Sequence, residues 1–400
     1  TSLSDIKLSQ YQRFLKTTKD IEDVNWLNNA KIRIAYGQTG NIDTVEPYQS
    51  LSFLNNGTYL FGDDLANTQF VSGLANNELT WAVSTETNVG VDLGFFNNRA
   101  NLTVDYYNKV TDGSLFPRSL LNISGFEEAI GNFGEVRSRG VEVVIGLTPI
   151  QTENFRWRTD FNYSRNRDEI LKIEGDVEEV PFGRHGVTKV GEDPAAIFSF
   201  ENDGIWQLDE YAEAAVFGAR PGQYKFVDQN GDNVINNEDK VVIGSPSPDW
   251  IAGITNTFSY KNFEARVQIN TRQGTIGHSE FYQNFAPYQN DQAKFNKINL
   301  DYWTPNNPNA SRPALAYAHP GEYYYEEFDF VKIANIGFSY NLPSTLLEKF
   351  KINGMRLSLD IQNPFIFTDY EGPDPETGLQ NSYSSAYLTK TVLFGLNVSL

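Results

Sequence analysis

The stretch Thr391-Val-Leu-Phe-Gly-Leu-Asn-Val-Ser-Leu400 decides how this chain reads. Val392, Phe394, Leu396, Val398 and Leu400 are apolar. Between them Gly395, Asn397 and Ser399 are small or polar, and only Leu393 breaks the pattern. Side chains alternate sides along a strand, so the stretch builds one apolar and one polar face. Such a strand, running to the carboxyl terminus, reads as the last strand of an outer-membrane β-barrel.

The same alternation recurs upstream, mostly in pairs. Lys31 to Tyr36 opens the series. Thr85, Thr87, Val89, Val91, Leu93 and Phe95 share a face, and Ala100, Leu102, Val104 and Tyr106 return after an Asn97-Asn98 turn. Val141, Val143, Ile145 and Leu147 precede Phe155, Trp157, Thr159, Phe161 and Tyr163. Ile251 to Tyr260 and Phe263 to Arg272 meet at Lys261-Asn262. Val331 to Leu342, Met355 to Phe365 and the final stretch complete roughly eleven strands.

The connections have two lengths. Asn97-Asn98, Pro149 to Asn154 and Lys261-Asn262 are short, and the helix-prone Ser344 to Phe350 is slightly longer. Residues 40–84, 108–139, 168–248, 273–327 and 367–388 form the long set. Short and long alternate, as periplasmic turns and extracellular loops do. Counting back from the end puts Leu400 and every short turn on one side. A soluble all-β propeller or sandwich also alternates apolar and polar residues. Periodicity alone leaves that reading open.

Composition narrows the classes. Aromatics are abundant, with 28 Phe, 21 Tyr and 6 Trp, which suits barrel girdles or carbohydrate-facing surfaces. The net charge of −19 argues against nucleic acid and against docking on anionic lipid. Without cysteine there is no disulfide, thiolate metal site or Cys nucleophile. No apolar run is long enough for a membrane-spanning helix. Residues 1–20 show no signal core, so a mature chain or an excised fragment is expected.

Several segments go beyond a generic barrel. They are Lys31-Ile-Arg-Ile-Ala-Tyr-Gly-Gln-Thr-Gly-Asn41, Asn132-Phe-Gly-Glu-Val-Arg-Ser-Arg-Gly-Val-Glu142 and Leu147-Thr-Pro-Ile150 with Phe155-Arg-Trp157. Gly222-Gln-Tyr-Lys-Phe-Val-Asp228, Ile243-Gly-Ser-Pro-Ser-Pro248 and Tyr302-Trp-Thr-Pro-Asn-Asn-Pro308 follow. The last are Val331-Lys-Ile-Ala-Asn-Ile-Gly-Phe-Ser-Tyr-Asn-Leu-Pro343 and Asp369-Tyr-Glu-Gly-Pro-Asp-Pro-Glu376. In this order they resemble the carboxyl-terminal half of SusC/RagA-type TonB-dependent transporters of Bacteroidetes.

The resemblance spans residues 1–400. It implies the carboxyl-terminal roughly half of a 22-stranded transmembrane antiparallel up-and-down β-barrel in the outer membrane. It further implies import of oligosaccharides or oligopeptides, a SusD-like surface lipoprotein as lid and a TonB partner. The family's plug domain and first strands have no counterpart in this sequence. The family usually ends in an aromatic residue, whereas this chain ends in Leu400.

Two constellations are candidate sites. Asp228, Asn230, Asp232, Asn236 and Asp239 fall at positions 1, 3, 5, 9 and 12 of an EF-hand-like loop at 228–239, within the long loop region 168–248. Val234 stands at position 7, where the ligand is a backbone carbonyl. Position 6 is Asn233 instead of Gly, and position 12 is Asp instead of Glu. A structural Ca²⁺ is expected there, with a metal-free Asx-turn hairpin as the bland alternative. Phe281, Tyr282, Phe285 and Tyr288 cluster in a long connection that also holds Tyr323, Tyr324 and Tyr325. Their rings could stack on sugars or peptide side chains, or simply pack against neighbouring loops or a lid. Trp81, Trp157, Trp250 and Tyr260 are expected at membrane interfaces.

An enzyme is not expected. His185, His278 and His319 are scattered, and no nucleophile elbow, phosphate loop or dinucleotide fingerprint occurs. Adjacent acidic pairs such as Glu127-Glu128 follow from the count of 51 acidic residues. The alternative function is that of a soluble, calcium-stabilised all-β glycan-binding protein.

Overall fold

The computed structural model describes residues 16–17, 26–41, 48, 50–71, 73–120, 122–126, 128–173, 177–182, 186–279, 281, 299, 301–315, 325–348, 351–377 and 388–399. Among them one sheet has eleven strands. In chain order these are β1 (Lys16–Thr17), β2 (Leu27–Asn41), β3 (Ala82–Phe95), β4 (Ala100–Ser119), β5 (Glu128–Gln151) and β6 (Phe155–Ile173). They continue as β7 (Trp250–Tyr260), β8 (Phe263–Gln273), β9 (Phe330–Asn341), β10 (Gly354–Phe367) and β11 (Thr391–Ser399). Each strand pairs with its neighbours in sequence, the order of an up-and-down sheet.

Contacts divide the chain into two units. One comprises 1–93, 103–142 and 166–195, the other 94–102, 143–165 and 196–400. In the first, the Asn132 side chain acts as a stitch. Its amide donates to the carbonyls of Thr80 at 2.8 Å and Gly113 at 2.6 Å, and its oxygen accepts from Thr80 N at 2.9 Å.

Register in the second unit sorts the faces. Phe155, Tyr260, Phe263, Tyr340, Leu357 and Leu396 lie opposite one another across β6 to β11. The next outward row is Trp157, Phe258, Ala265, Phe338, Leu359 and Phe394. Side chains directly opposite share a face, so these rows form one apolar surface. It stays uncovered among the described residues: Phe394 is 84% and Leu396 61% exposed. A water-soluble sandwich would bury such rows, whereas a lipid-facing wall shows them.

The apolar face has aromatic rims at both heights. Near the short turns, Phe263 and Tyr340 rings stand 4.3 Å apart, and Trp157 stacks with Phe258 at 5.8 Å. Toward the long loops, Tyr163 and Trp250 rings lie 6.0 Å apart. Trp250 to Tyr260 spans roughly 34 Å at ~3.4 Å per residue. A tilt of about 40° converts that to about 26 Å of height, matching an apolar barrel band. The polar Asn256 on this face is satisfied locally. Asn256 Oδ1 accepts from Trp157 Nε1 at 3.0 Å and from the Thr159 hydroxyl at 2.7 Å.

The turns follow from local chemistry. Between β3 and β4, Phe96, Asn97 and Asn98 all adopt positive φ, a conformation Asn tolerates better than most residues. Lys261 does the same between β7 and β8, at φ 50°. Between β5 and β6, Thr152 closes the turn by accepting Phe155 N–H on its hydroxyl at 3.0 Å. Ser344–Leu347 forms one helical turn between β9 and β10.

Loop bounds differ from expectation in one respect. Residues 108–139 are not mainly a loop, because β4 continues to Ser119 and β5 begins at Glu128. Likewise β6 runs to Ile173. Apolar alternation marks only the lipid-facing part of a strand, while backbone pairing continues into water with polar residues on both sides. The remaining long connections hold small hairpins: Leu54–Phe61 with Asp64–Val71, Glu179–Phe182 with Gly186–Lys189, Ile197–Phe200 with Lys240–Gly244, and Ile276–His278 with Tyr325–Glu327.

Candidate ligand-chamber wall and loop base

The face opposite the apolar rows is polar. Arg156, Ser259, Glu264, Ser339, Ser358 and Gly395 form one row. Arg158, Thr257, Arg266, Gly337, Asp360 and Leu393 form the next. Asp160, Thr255, Gln268, Asn335, Gln362 and Thr391 follow. Leu393, the odd residue of the terminal strand, thus sits on the polar face. Several of these charges are paired. Arg356 donates to Glu264 at 3.1 Å and to Ser339 at 2.8 Å, and Arg158 donates to Asp160 at 2.8 Å. The wall is wet, charged and internally hydrogen-bonded, so it can offer donors and acceptors to a polar ligand.

The first unit carries a tighter cluster of the same kind. Arg33 of β2 donates to Asp92 of β3 at 2.9 and 3.1 Å, and to Asp105 of β4 at 2.8 Å. Thr103 adds a hydroxyl to Asp92 at 3.1 Å. The guanidinium lies over Gly90, where a Cβ would stand 2.7 Å from Arg33 and 2.3 Å from an Asp105 oxygen. One arginine ties three strands because its planar fork serves several acceptors at once.

Above β8 and β9, buried charges fasten the loops of the second unit. Arg312 pairs with Glu326 and, at 3.2 Å, with Glu371. Lys332 pairs with Glu376, and Arg272 donates to the Pro375 carbonyl. Asp329 accepts the backbone N–H of Gly274 at 2.9 Å and of Thr275 at 2.8 Å. Tyr370 stacks on fully buried Phe328, with ring centroids 4.4 Å apart. Burial pushes the Tyr370 phenol up to about 12. The Asp369 to Glu376 motif therefore works as a strap across the strand tops. Lys332 falls within the Val331 to Pro343 motif, but nothing in the sequence marked Arg312.

A second loop base forms around Trp303. Its ring packs with Ala310, Ala314 and Ile205, and its Nε1 donates to Gln207 at 3.0 Å. Gly222, at φ 90°, lies against the ring and accepts Ala314 N–H at 2.8 Å. Two sequence motifs far apart in the chain thus meet here.

Of the aromatic candidates, Phe281 and Tyr325 are buried, at 7% and 9% exposure, and the Tyr325 ring meets His278 edge-on at 5.7 Å. Tyr282, Phe285, Tyr288, Tyr323 and Tyr324 lie outside the described residues, as do His185 and His319. Trp81 is 54% exposed and sits over Gly40.

The EF-hand-like loop closes on itself. Asp228 accepts N–H groups from Gly231 at 2.7 Å, Asp232 at 3.3 Å and Asn233 at 2.8 Å. Desolvation opposes its ionisation, but those N–H groups prevail and hold its carboxyl below the usual range. Fully buried Asp239 accepts from Gln229 at 3.0 Å and from Asn236 at 2.8 Å. Asn233 takes the positive φ of position 6, at 65°. Asn236 caps the 3-10 turn Asn237–Asp239, and its amide reaches the Val234 carbonyl at 3.4 Å. The Asn230 amide nitrogen lies 3.3 Å from both Asp232 and Glu238. Among the described residues, no three His, Cys, Asp or Glu side chains converge as a metal cage.

No family model matches the sequence. TonB-dependent receptor P3 of Formosa agariphila is 30% identical over 403 residues, covering 94% of this chain and 40% of that protein. TonB-dependent receptor SusC of Bacteroides thetaiotaomicron is 28% identical over 96% of this chain and 39% of its own length. In sequence and fold this chain is similar to SusC-like TonB-dependent outer-membrane barrels. The RagAB peptide transporter superposes with a TM-score of 0.78 at 24% identity, over 96% of this chain and 42% of that chain. This SusC-like chain spans about 40% of the length of the curated relatives it matches. Its setting is the outer membrane. The exposed rows are then lipid-facing, and the paired charges line the interior.

Proposed function

We propose that this chain forms part of the wall and loop base of an outer-membrane importer for oligosaccharides or oligopeptides. The observation that carries the reading is the two-faced sheet. Its outer rows are apolar and exposed, and its inner rows are charged and hydrogen-bonded. In this reading the chain is not an enzyme. Its residues hold shape and offer polar contacts, while a plug driven by TonB supplies the energy. A SusD-like lipoprotein covers the loop side. RagAB, by its description, carries peptides, but paired charges and hydroxyls suit sugar hydroxyls and peptide amides equally well. The test is uptake by a strain lacking the parent protein, complemented with it, and supplied with labelled oligopeptides or oligosaccharides. Restored uptake of one class, abolished without TonB, is expected. Complementation that restores neither would refute the import reading.

The loop at 228–239 is proposed as a structural calcium site, with Asp228, Asn230, Asp232, Val234, Asn236 and Asp239 as its ligands. Support comes from Asn233 at positive φ and from the Asn230 amide donating between two carboxylates. Rotating that amide would present its oxygen in place of its nitrogen. Calorimetric titration of the intact protein with Ca²⁺ should show one site that Asp228→Ala removes. Absence of heat at millimolar calcium would exclude it.

A further inference from the structure

The lipid-facing rows are not uniform. Ala265 stands between Phe258 and Phe338 in its row, so one methyl group separates two aromatic walls. The result is an apolar groove of about 630 Å³ that extends to Phe394 and opens toward Tyr260 and Tyr340. That size falls in the ~300–1,000 Å³ range of small-molecule sites. The groove crosses from β7 to β11, four strand spacings or about 19 Å at ~4.8 Å each.

Its mouth is at the short-turn end. There Lys261 is exposed, with its ammonium 5.6 Å from the Tyr260 ring. The nearest carboxylate in sequence, Glu264, is turned to the polar face and held by Arg356 at 3.1 Å. A cation beside Tyr260 therefore stands next to an open apolar groove that Tyr260 and Tyr340 line. That combination matches one amphiphile: an acyl chain joined to a phosphate headgroup.

We propose that this groove holds one phospholipid, with an acyl chain along Ala265 and its phosphate at Lys261. The proposal rests on the outer-membrane setting. It goes beyond general solvation by lipid, because one small residue and one cation define the site.

Native mass spectrometry of the intact detergent-solubilised protein tests it, with phosphatidylglycerol and diacylglycerol as probes. One phosphatidylglycerol adduct is expected to survive activation that strips the others, and diacylglycerol should bind at least tenfold more weakly. Ala265→Phe fills the groove and should abolish that adduct while heat-modifiable migration persists. Lys261→Ala lies in an exposed turn and tests the headgroup contact even where the core variant fails to fold. It should weaken phosphatidylglycerol about tenfold and leave diacylglycerol unchanged. Retention of the adduct by Ala265→Phe, or equal binding of the two lipids, would overturn the proposal. So would an Ala265→Phe protein that keeps its lipid but loses self-association, which would make a second copy the occupant.

Discussion

Replacing Gly222 by alanine should loosen the loop base without touching the barrel. At φ 90°, an L-residue costs about 1–2 kcal/mol relative to glycine. The new Cβ would stand 2.6 Å from the Trp303 ring and 2.9 Å from Ala314, against ~3.5–4.0 Å for ordinary carbon contact. The ring must shift by roughly 1 Å, yet it is 5% exposed and fixed by its bond to Gln207. Overpacking of that kind costs about 1–3 kcal/mol, and a lost neutral hydrogen bond adds about 1 kcal/mol. The sum is about 3–6 kcal/mol, or on the order of a 10²–10⁴-fold rise in local opening. Gly218 provides the control, since it has φ 66° and open space around its Cβ. Gly218→Ala should cost only the backbone strain, about 1–2 kcal/mol. Hydrogen exchange by mass spectrometry reads the outcome at the amides of Gly222, Trp303 and Ala314, each bonded across the loop base. Peptides from Phe263–Gln273 should exchange as in the parent. If Gly222→Ala exchanges no faster than Gly218→Ala, the steric argument is wrong.

Other perturbations separate the remaining features. Arg312→Ala strands Glu326, whose side chain is 6% exposed, beside Glu371; about 3–5 kcal/mol should be lost locally, seen as faster proteolysis of residues 301–327. Gly90→Val drives a side chain into Arg33 and Asp105. Displacing two charge-assisted bonds should cost about 2–4 kcal/mol and lower the temperature of heat-modifiable migration, whereas Gly73→Val, with open space around its Cβ and no positive φ, should leave it unchanged. Glu210 is held below its ordinary range by the Gln207 N–H first and by Lys225 second. A depressed carboxylate stabilises above its unfolded pKa, and that contribution disappears as pH falls through the folded value. Trp206 lies 4.7 Å from the Lys225 ammonium, so its fluorescence should change on acidification in the parent but not in Glu210→Gln.

Much of the wall was legible because strand alternation is a local property. Phe394 and its neighbours declare their faces from period two alone, and Asn97, Asn98 and Lys261 mark where the chain reverses. The EF-hand-like spacing likewise exposed the compact shape of the 228–239 loop. The polar upper parts of β4 and β5 were missed, since residues wet on both faces carry no apolar signal. The burial of Phe281 and Tyr325 was not legible either, because a sequence does not show how exposed a loop side chain is.

By itself the sequence determined the strand order, the apolar and polar faces and the side on which the short turns lie. Each depends on neighbours one or two residues away. Only the tertiary structure decided that Gly222 meets Trp303, that Arg312 joins Glu326 to Glu371 and that Ala265 opens a groove between two phenylalanines. Those contacts link residues distant in the chain, and their energy exists only once the backbone has placed them together.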